Sequence, residues 1–315
     1  MSELSIGTLV QHISLGVGKV VAVEPNAVHV FFKDREERFA AKLRLPDATK
    51  LIRTDGVERD AWLEGLSAFA LDAGSGRYAL AANFLTHEQA IAGFLKAYPK
   101  GFADPAYVGT GTGKRERASR WRAASVEWAE AFGGGEAARL TEAGKAKEIL
   151  KRALRIEKHV VQVTGTFAPG ALTEALGDPE TAVPFMEALL ELLSVPSPGR
   201  ARFEKLFAAT EALELDPALA WPVATVFPFV ADPSRHVFLW PKTACGAAER
   251  LGCNLRYDVE PNWPTYSALR AFSTQLLEPL RARAAKDFVD VEAFLFDAAT
   301  RRPTPTTSAA PRRSR

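Results

Sequence analysis

The hydrophobic pattern of this chain changes kind near residue 55, and that change limits the folds open to it. Up to residue 52 the apolar residues come in short, β-branched runs: Thr8–Ile13, Val17–Val23 and Ala27–Phe32, followed by Glu37–Ala40 and Thr49–Ile52. Gly16-Val17-Gly18 and Pro25-Asn26 punctuate them with residues that suit tight turns. The pattern predicts five short strands. So small a sheet hides its edges best by closing on itself, so the expectation for residues 1–52 is a small all-β barrel.

From residue 57 the period becomes helical. Thr86 and Gln89 form an N-cap signature ahead of the apolar face Ala90, Ile91, Phe94 and Leu95. Helical faces follow at 118–132, 136–157, 181–194, 200–213, 218–230, 241–251, 264–284 and 287–298. No sustained strand is expected after residue 60, apart from a short piece at Val160–Val163. The fold class expected is therefore a mainly α helical domain, residues 57–298, preceded by the small all-β barrel. Residues 299–315 are basic, rich in Pro, Ser and Thr, and without an apolar face, which predicts a disordered tail.

Composition narrows the function. The net charge of +2 over 315 residues is nearly neutral, so a nucleic-acid site has to come from local clusters of cations. Two cysteines, Cys245 and Cys253, are too few to hold an iron–sulfur cluster and do not form a zinc pattern. No cofactor and no metal are implied. No apolar run is long enough to cross a bilayer and the N-terminus lacks a signal pattern, so a cytoplasmic protein without a membrane partner is expected.

Gly109-Thr110-Gly111-Thr112-Gly113-Lys114-Arg115 looks like a phosphate loop but fails as one. Val108 stands where the first glycine belongs, and Arg115 where the Ser or Thr belongs. Read instead as a loop entering a helix, it introduces the cations Lys114, Arg115, Arg117, Arg120 and Arg122, with Trp121 among them. Such a cluster suits contacts to DNA phosphates. Further on, Tyr257–Tyr266 is an aromatic and acidic loop with Pro264 placed for a first helical turn. Asn262, Trp263 and Tyr266 there have the flat faces and edge-reading groups that a flipped base requires. Asp287 is a helix N-cap candidate, and Asp290 lies one turn on, on the same face.

Two resemblances add to this. Val10, His12, Gly16, Gly18 and Val20, ahead of the strand Val28-His29-Val30-Phe31, resemble the Tudor or SH3-like barrels of bacterial repair helicases and transcription-coupling factors. That implies a docking module for protein or nucleic acid. Residues 221–252 run as apolar helix, short loop and a second helix ending Glu249-Arg250-Leu251-Gly252. This order resembles the centre of the helix-hairpin-helix DNA glycosylases, with a general helical likeness over about residues 85–295.

The glycosylase resemblance implies a DNA-binding protein that flips a modified base and hydrolyses its N-glycosidic bond. It departs from the family at specific positions. Pro217-Ala218-Leu219-Ala220-Trp221 replaces the hairpin glycines, Pro222 or Val223 replaces the Schiff-base Lys, and Pro241, next to Lys242, replaces the catalytic Asp. Without that Lys the enzyme would be monofunctional and leave an abasic site. The missing carboxylate would come from Asp290 first and Asp258 second, because an oxocarbenium-like state needs a nearby anion. Lys242 would join Asn262, Trp263 and Tyr266 at the base pocket. A base of modified phage DNA is one substrate this would suit. The alternative is a noncatalytic adaptor that docks DNA or a protein partner through the barrel.

Overall fold

A computed structural model describes residues 4–33, 35, 39–66, 69–72, 75–80, 84–108, 117–164, 167–197 and 199–300. It has a small β domain followed by a larger helical domain. The β domain comprises β1 (Leu9–His12), β2 (Gly16–Glu24), β3 (Ala27–Phe32), β4 (Ala41–Arg44), α1 (Leu45–Leu51) and β5 (Ile52–Arg53). Its strands form one antiparallel sheet in the order β4-β3-β2-β1-β5. Gly16 turns the first hairpin at φ 75°, a conformation that costs other residues energy. At Gly18 a Cβ would stand 2.5 Å from the Phe32 ring, so only glycine lets Phe32 fold over the sheet.

The sheet is buried on both faces. Val10, Val20, Val28, Val30 and Phe32 pack together with Ala48 of α1. Their neighbours Val21 and Phe31 point the other way, onto Leu63, Leu66 and Leu80, as the two-residue strand period requires.

Three expectations change here. The sheet curls but does not close, since β4 and β5 do not pair among the described residues. The fourth strand is at 41–44 instead of 37–40. Residues 45–51 are helical, because Pro46 stands in the first turn, where its fixed φ and missing N–H are tolerated.

The other side of the sheet is covered by α2 (Ala61–Gly65) and a hairpin of β6 (Phe69–Asp72) and β7 (Arg77–Leu80). Strands after residue 60 were not expected. The Lys19 ammonium donates to the Glu64 and Leu66 carbonyls, each at 2.7 Å, and so ties β2 to the end of α2. The same segment reaches the helical domain: Leu66 bridges to Cys253, Asn254 N–H donates to Gly65 O, and Leu85 N–H donates to Arg250 O.

The helical domain opens with α3 (His87–Ala97), whose Thr86 and Gln89 form the capping box expected from sequence. α4 (Pro105–Val108) and α5 (Arg117–Phe132) follow. The face expected at 136–157 is broken into α6 (Glu136–Glu142), α7 (Ala146–Ala153) and a 3-10 turn, with Gly144 at φ 63° making the first break. Val160–Val163, expected as a strand, lies within α8 (Glu157–Thr164). α9 (Ala171–Ala175), α10 (Pro179–Leu193) and α11 (Arg200–Glu211) lead to α12 (Pro217–Ala231). Every residue of α12 from Trp221 to Val230 is buried, so this helix is apolar all round and sits at the centre of the core. α13 (Pro241–Leu251), α14 (Trp263–Arg281) and α15 (Phe288–Thr300) complete the domain.

Candidate functional site

Arg117, Trp121 and Arg122 lie at the start of α5 and meet Asp287, Asp290 and Glu292 at the start of α15. Arg117 donates through Nε to Glu292 Oε2 at 2.8 Å, and Trp121 Nε1 donates to the same oxygen at 3.0 Å. The Arg117 guanidinium also lies over the Phe296 ring, 4.3 Å from its centre. Beside it, Arg122 donates to Asp287 at 2.9 Å and to Asp290 Oδ1 at 3.0 Å. Tyr107 donates its hydroxyl to Asp290 Oδ1 at 2.7 Å, and the Lys286 main-chain N–H donates to Oδ2 at 2.7 Å. Burial, together with the neighbouring Asp290 charge, pushes the Tyr107 phenol well above its ordinary range.

This arrangement gives the expected residues other roles. Asp290 is 2% exposed and both its oxygens are engaged, so it is a structural anion and not a carboxylate facing a sugar. Arg117 is 9% exposed and committed to Glu292, and Arg122 is committed to Asp287 and Asp290, so neither offers a cation to a phosphate. Arg120 is half-buried at a cavity of about 160 Å³ shared with Tyr98, Asp297 and Thr300. Lys114 and Arg115 lie outside the described residues, as does the tail from residue 301.

The other expected cluster is only partly assembled. Asp258, Asn262 and Trp263 line one groove of about 590 Å³ between α11 and the start of α14. Asn262 is the N-cap of α14: Oδ1 accepts from Thr265 N–H at 2.9 Å and Nδ2 donates to Glu260 O at 2.8 Å. Its amide is therefore spent on the backbone. Trp263 is half-buried against Phe203. Tyr266 is not part of the groove; it is 1% exposed, with its hydroxyl 3.3 Å from His236 Nδ1. Lys242 is exposed in the first turn of α13, away from this groove. Pro241, at the position of the family carboxylate, opens α13, and Pro217–Trp221, at the position of the hairpin glycines, open α12.

The groove is acidic. Glu204, Glu211, Glu214, Asp258 and Glu260 line it, against Arg200 alone among the cations, and Arg200 pairs with Glu204 at 2.6 Å. A phosphodiester backbone would be repelled here.

Comparison of the chain with protein-family models, with curated proteins and with solved structures gives no match. The site has to be read from its own chemistry. Among the described residues no group of three or more His, Cys, Asp or Glu side chains is placed to hold a metal ion. Burial pushes the Cys253 thiol up to about 12 and raises that of Cys245, which leaves both poor nucleophiles. No described helix is long and apolar enough to cross a membrane.

Sequence reasoning missed a groove of about 890 Å³ bordered by Trp128, Phe132, Leu190, Arg235 and His236. The available signal was the run Gly133-Gly134-Gly135, which ends α5 and turns into α6 with φ of 62° and 82° at the last two.

Proposed function

We propose that the chain is a noncatalytic binding adaptor whose partner is a protein. The observation that carries this reading is the state of Asp290. A carboxylate that stabilises a sugar cation has to face the substrate, whereas this one is enclosed by Tyr107, Arg122 and the Lys286 N–H. Three further observations support it. The cations expected to grip DNA on α5 are turned inward at Arg117 and Arg122, and the groove beside α14 is acidic. On the β domain, Ile6, three residues before β1, and Ile13, directly after it, stand 69% and 75% exposed, apolar side chains open to a protein partner.

A second reading, a monofunctional DNA N-glycosylase that leaves an abasic site, is favoured by one observation. Asp258, Asn262 and Trp263 share a groove large enough for a base. In that reading Asp258 is the carboxylate and water the nucleophile. The test is to incubate the full chain with ordinary, damaged and phage-type modified duplexes and reveal abasic sites with alkali. The adaptor reading expects none above the protein-free control. Base release that disappears in Asp258→Asn would overturn it in favour of the glycosylase.

A further inference from the structure

The groove of about 890 Å³ lies between the end of α5, α6, the end of α10 and the end of α12. Trp128, Phe132, Leu190 and Leu193 form its apolar wall. Most of its charges are already neutralised in pairs: Lys205 with Glu191, and Arg235 with Asp232. Glu142 and Glu187 are exposed, line the same groove, and have no hydrogen-bonding or ionic partner among the described residues. The free charge of the groove is therefore negative.

His236 supplies the second observation. It is 3% exposed, and burial lowers its pKa from 6.5 to about 4, so the ring is neutral. Its Nδ1 lies 3.3 Å from the hydroxyl of Tyr266, which is itself enclosed and held protonated by burial. A buried phenol needs an acceptor for its proton, and Nδ1 is the one it has among the described residues. Nδ1 accepts only if the ring proton is on Nε2. The imidazole therefore carries an Nε2–H with no acceptor among the described residues, on a side chain that lines the groove. That nitrogen is not sealed in the core but keeps contact with the groove, so its N–H can donate to a molecule seated there.

We propose that this groove binds a small organic ammonium compound: its apolar body on Trp128 and Phe132, its nitrogen beside Glu142 and Glu187, and a carbonyl or ether oxygen accepting from His236 Nε2–H. Size and lining are those of a small-molecule site, mostly apolar with a few placed polar groups. Aromatic walls favour a cation further. Anionic ligands, nucleotides included, meet two free carboxylates and no uncommitted cation. The assignment does not depend on the adaptor reading.

The test uses the full chain and phenylalaninamide, which carries all three features, with phenylacetamide and phenylacetate for comparison. Binding is followed by the imidazole NMR signals of His236. The expected result is an Nε2–H tautomer in the free protein and a saturable shift with phenylalaninamide, with a dissociation constant of about a millimolar for so small a molecule. Phenylacetamide should bind about tenfold more weakly and phenylacetate weaker still. Glu142→Gln with Glu187→Gln should weaken phenylalaninamide binding by about tenfold. Both side chains are exposed and partnerless, so the double variant keeps its fold. An Nδ1–H tautomer, no saturable shift with phenylalaninamide, equal binding of phenylacetate, or unchanged affinity in the double variant would each overturn the proposal. So would a shift produced by a cationic peptide and not by the free amine.

Discussion

The contact between α5 and α15 and the groove between α11 and α14 are made from similar residues and end as opposites. In the first, Asp287, Asp290 and Glu292 are each met by Arg117, Arg122, Tyr107, Trp121 or a main-chain N–H. In the second, Glu211, Glu214 and Glu260 face water with no cationic partner among the described residues. A carboxylate taken out of water is tolerated only when its lone pairs are filled, and filling them removes it from chemistry. One left in water keeps its charge for a partner but adds little to the fold. Burial and partners, more than residue type, decide which carboxylates here are structural.

The largest expected effect comes from breaking the buried side. Arg117→Ala leaves Glu292 enclosed without its counter-charge, though Trp121 still donates to it, which costs about 3–5 kcal/mol, read from urea unfolding of the full chain. A loss below about 1 kcal/mol would mean that the α5–α15 charges are as dispensable as surface ones.

Acid probes the same contrast. His236 has a folded pKa of about 4 against an ordinary value of 6.5, so its contribution is fully present above pH 6.5 and is lost as the pH falls through 6.5 toward 4. The unfolded chain takes up the proton first, and His236 contributes about 3 kcal/mol to the loss, to which His87, also lowered by burial to about 4, adds over the same window. Stability that stays level across that window would place both imidazoles in contact with solvent.

A smaller effect is expected from Asp290→Asn. It keeps the shape but removes the charge shared with Arg122 and the Tyr107 hydroxyl, and should cost about 2 kcal/mol in the same urea measurement. An unchanged midpoint would contradict the structural role given to Asp290. The smallest belongs to the open side: Glu211→Gln and Glu260→Gln should each change stability by no more than about 0.5 kcal/mol. A larger loss would reveal an ionic partner for that groove within the chain.

The sequence made parts of this legible. β1, β2 and β3 were readable because turn-forming Gly16, Gly18 and Pro25-Asn26 bracket β-branched runs. The helices from α10 to α15 were readable from their apolar faces, and α10, α12, α13 and α14 also carry Pro in their first turns. β6 and β7 were not, because Phe69–Asp72 and Arg77–Leu80 are four residues each and contain no Val, Ile or Thr. Asp287 and Asp290 were readable as one helix face. Their partner Arg122 stands 165 residues before Asp287, and only the packed core brings them together. That distance is why a row of cations on α5 resembled a DNA grip. The groove at His236 was hidden for a similar reason, since five separate segments build its walls.

The curled sheet that stops short of closing leaves β4 and β5 each paired on one side only among the described residues. An unpaired strand edge offers a row of N–H and C=O groups to any other strand, including the same strand of another molecule. On β4 the exposed side chains are Lys42 and Arg44, and β5 is only two residues long and ends in Arg53. Lys42 pairs with Glu24 at 2.8 Å, while Arg44 has no ionic partner among the described residues; two copies meeting edge to edge along β4 would bring these basic edges together, and like charges across a strand pair are unfavourable. The opening in the sheet is thereby guarded against self-association: its backbone is available for pairing, while its charge keeps identical copies from stacking into a growing sheet.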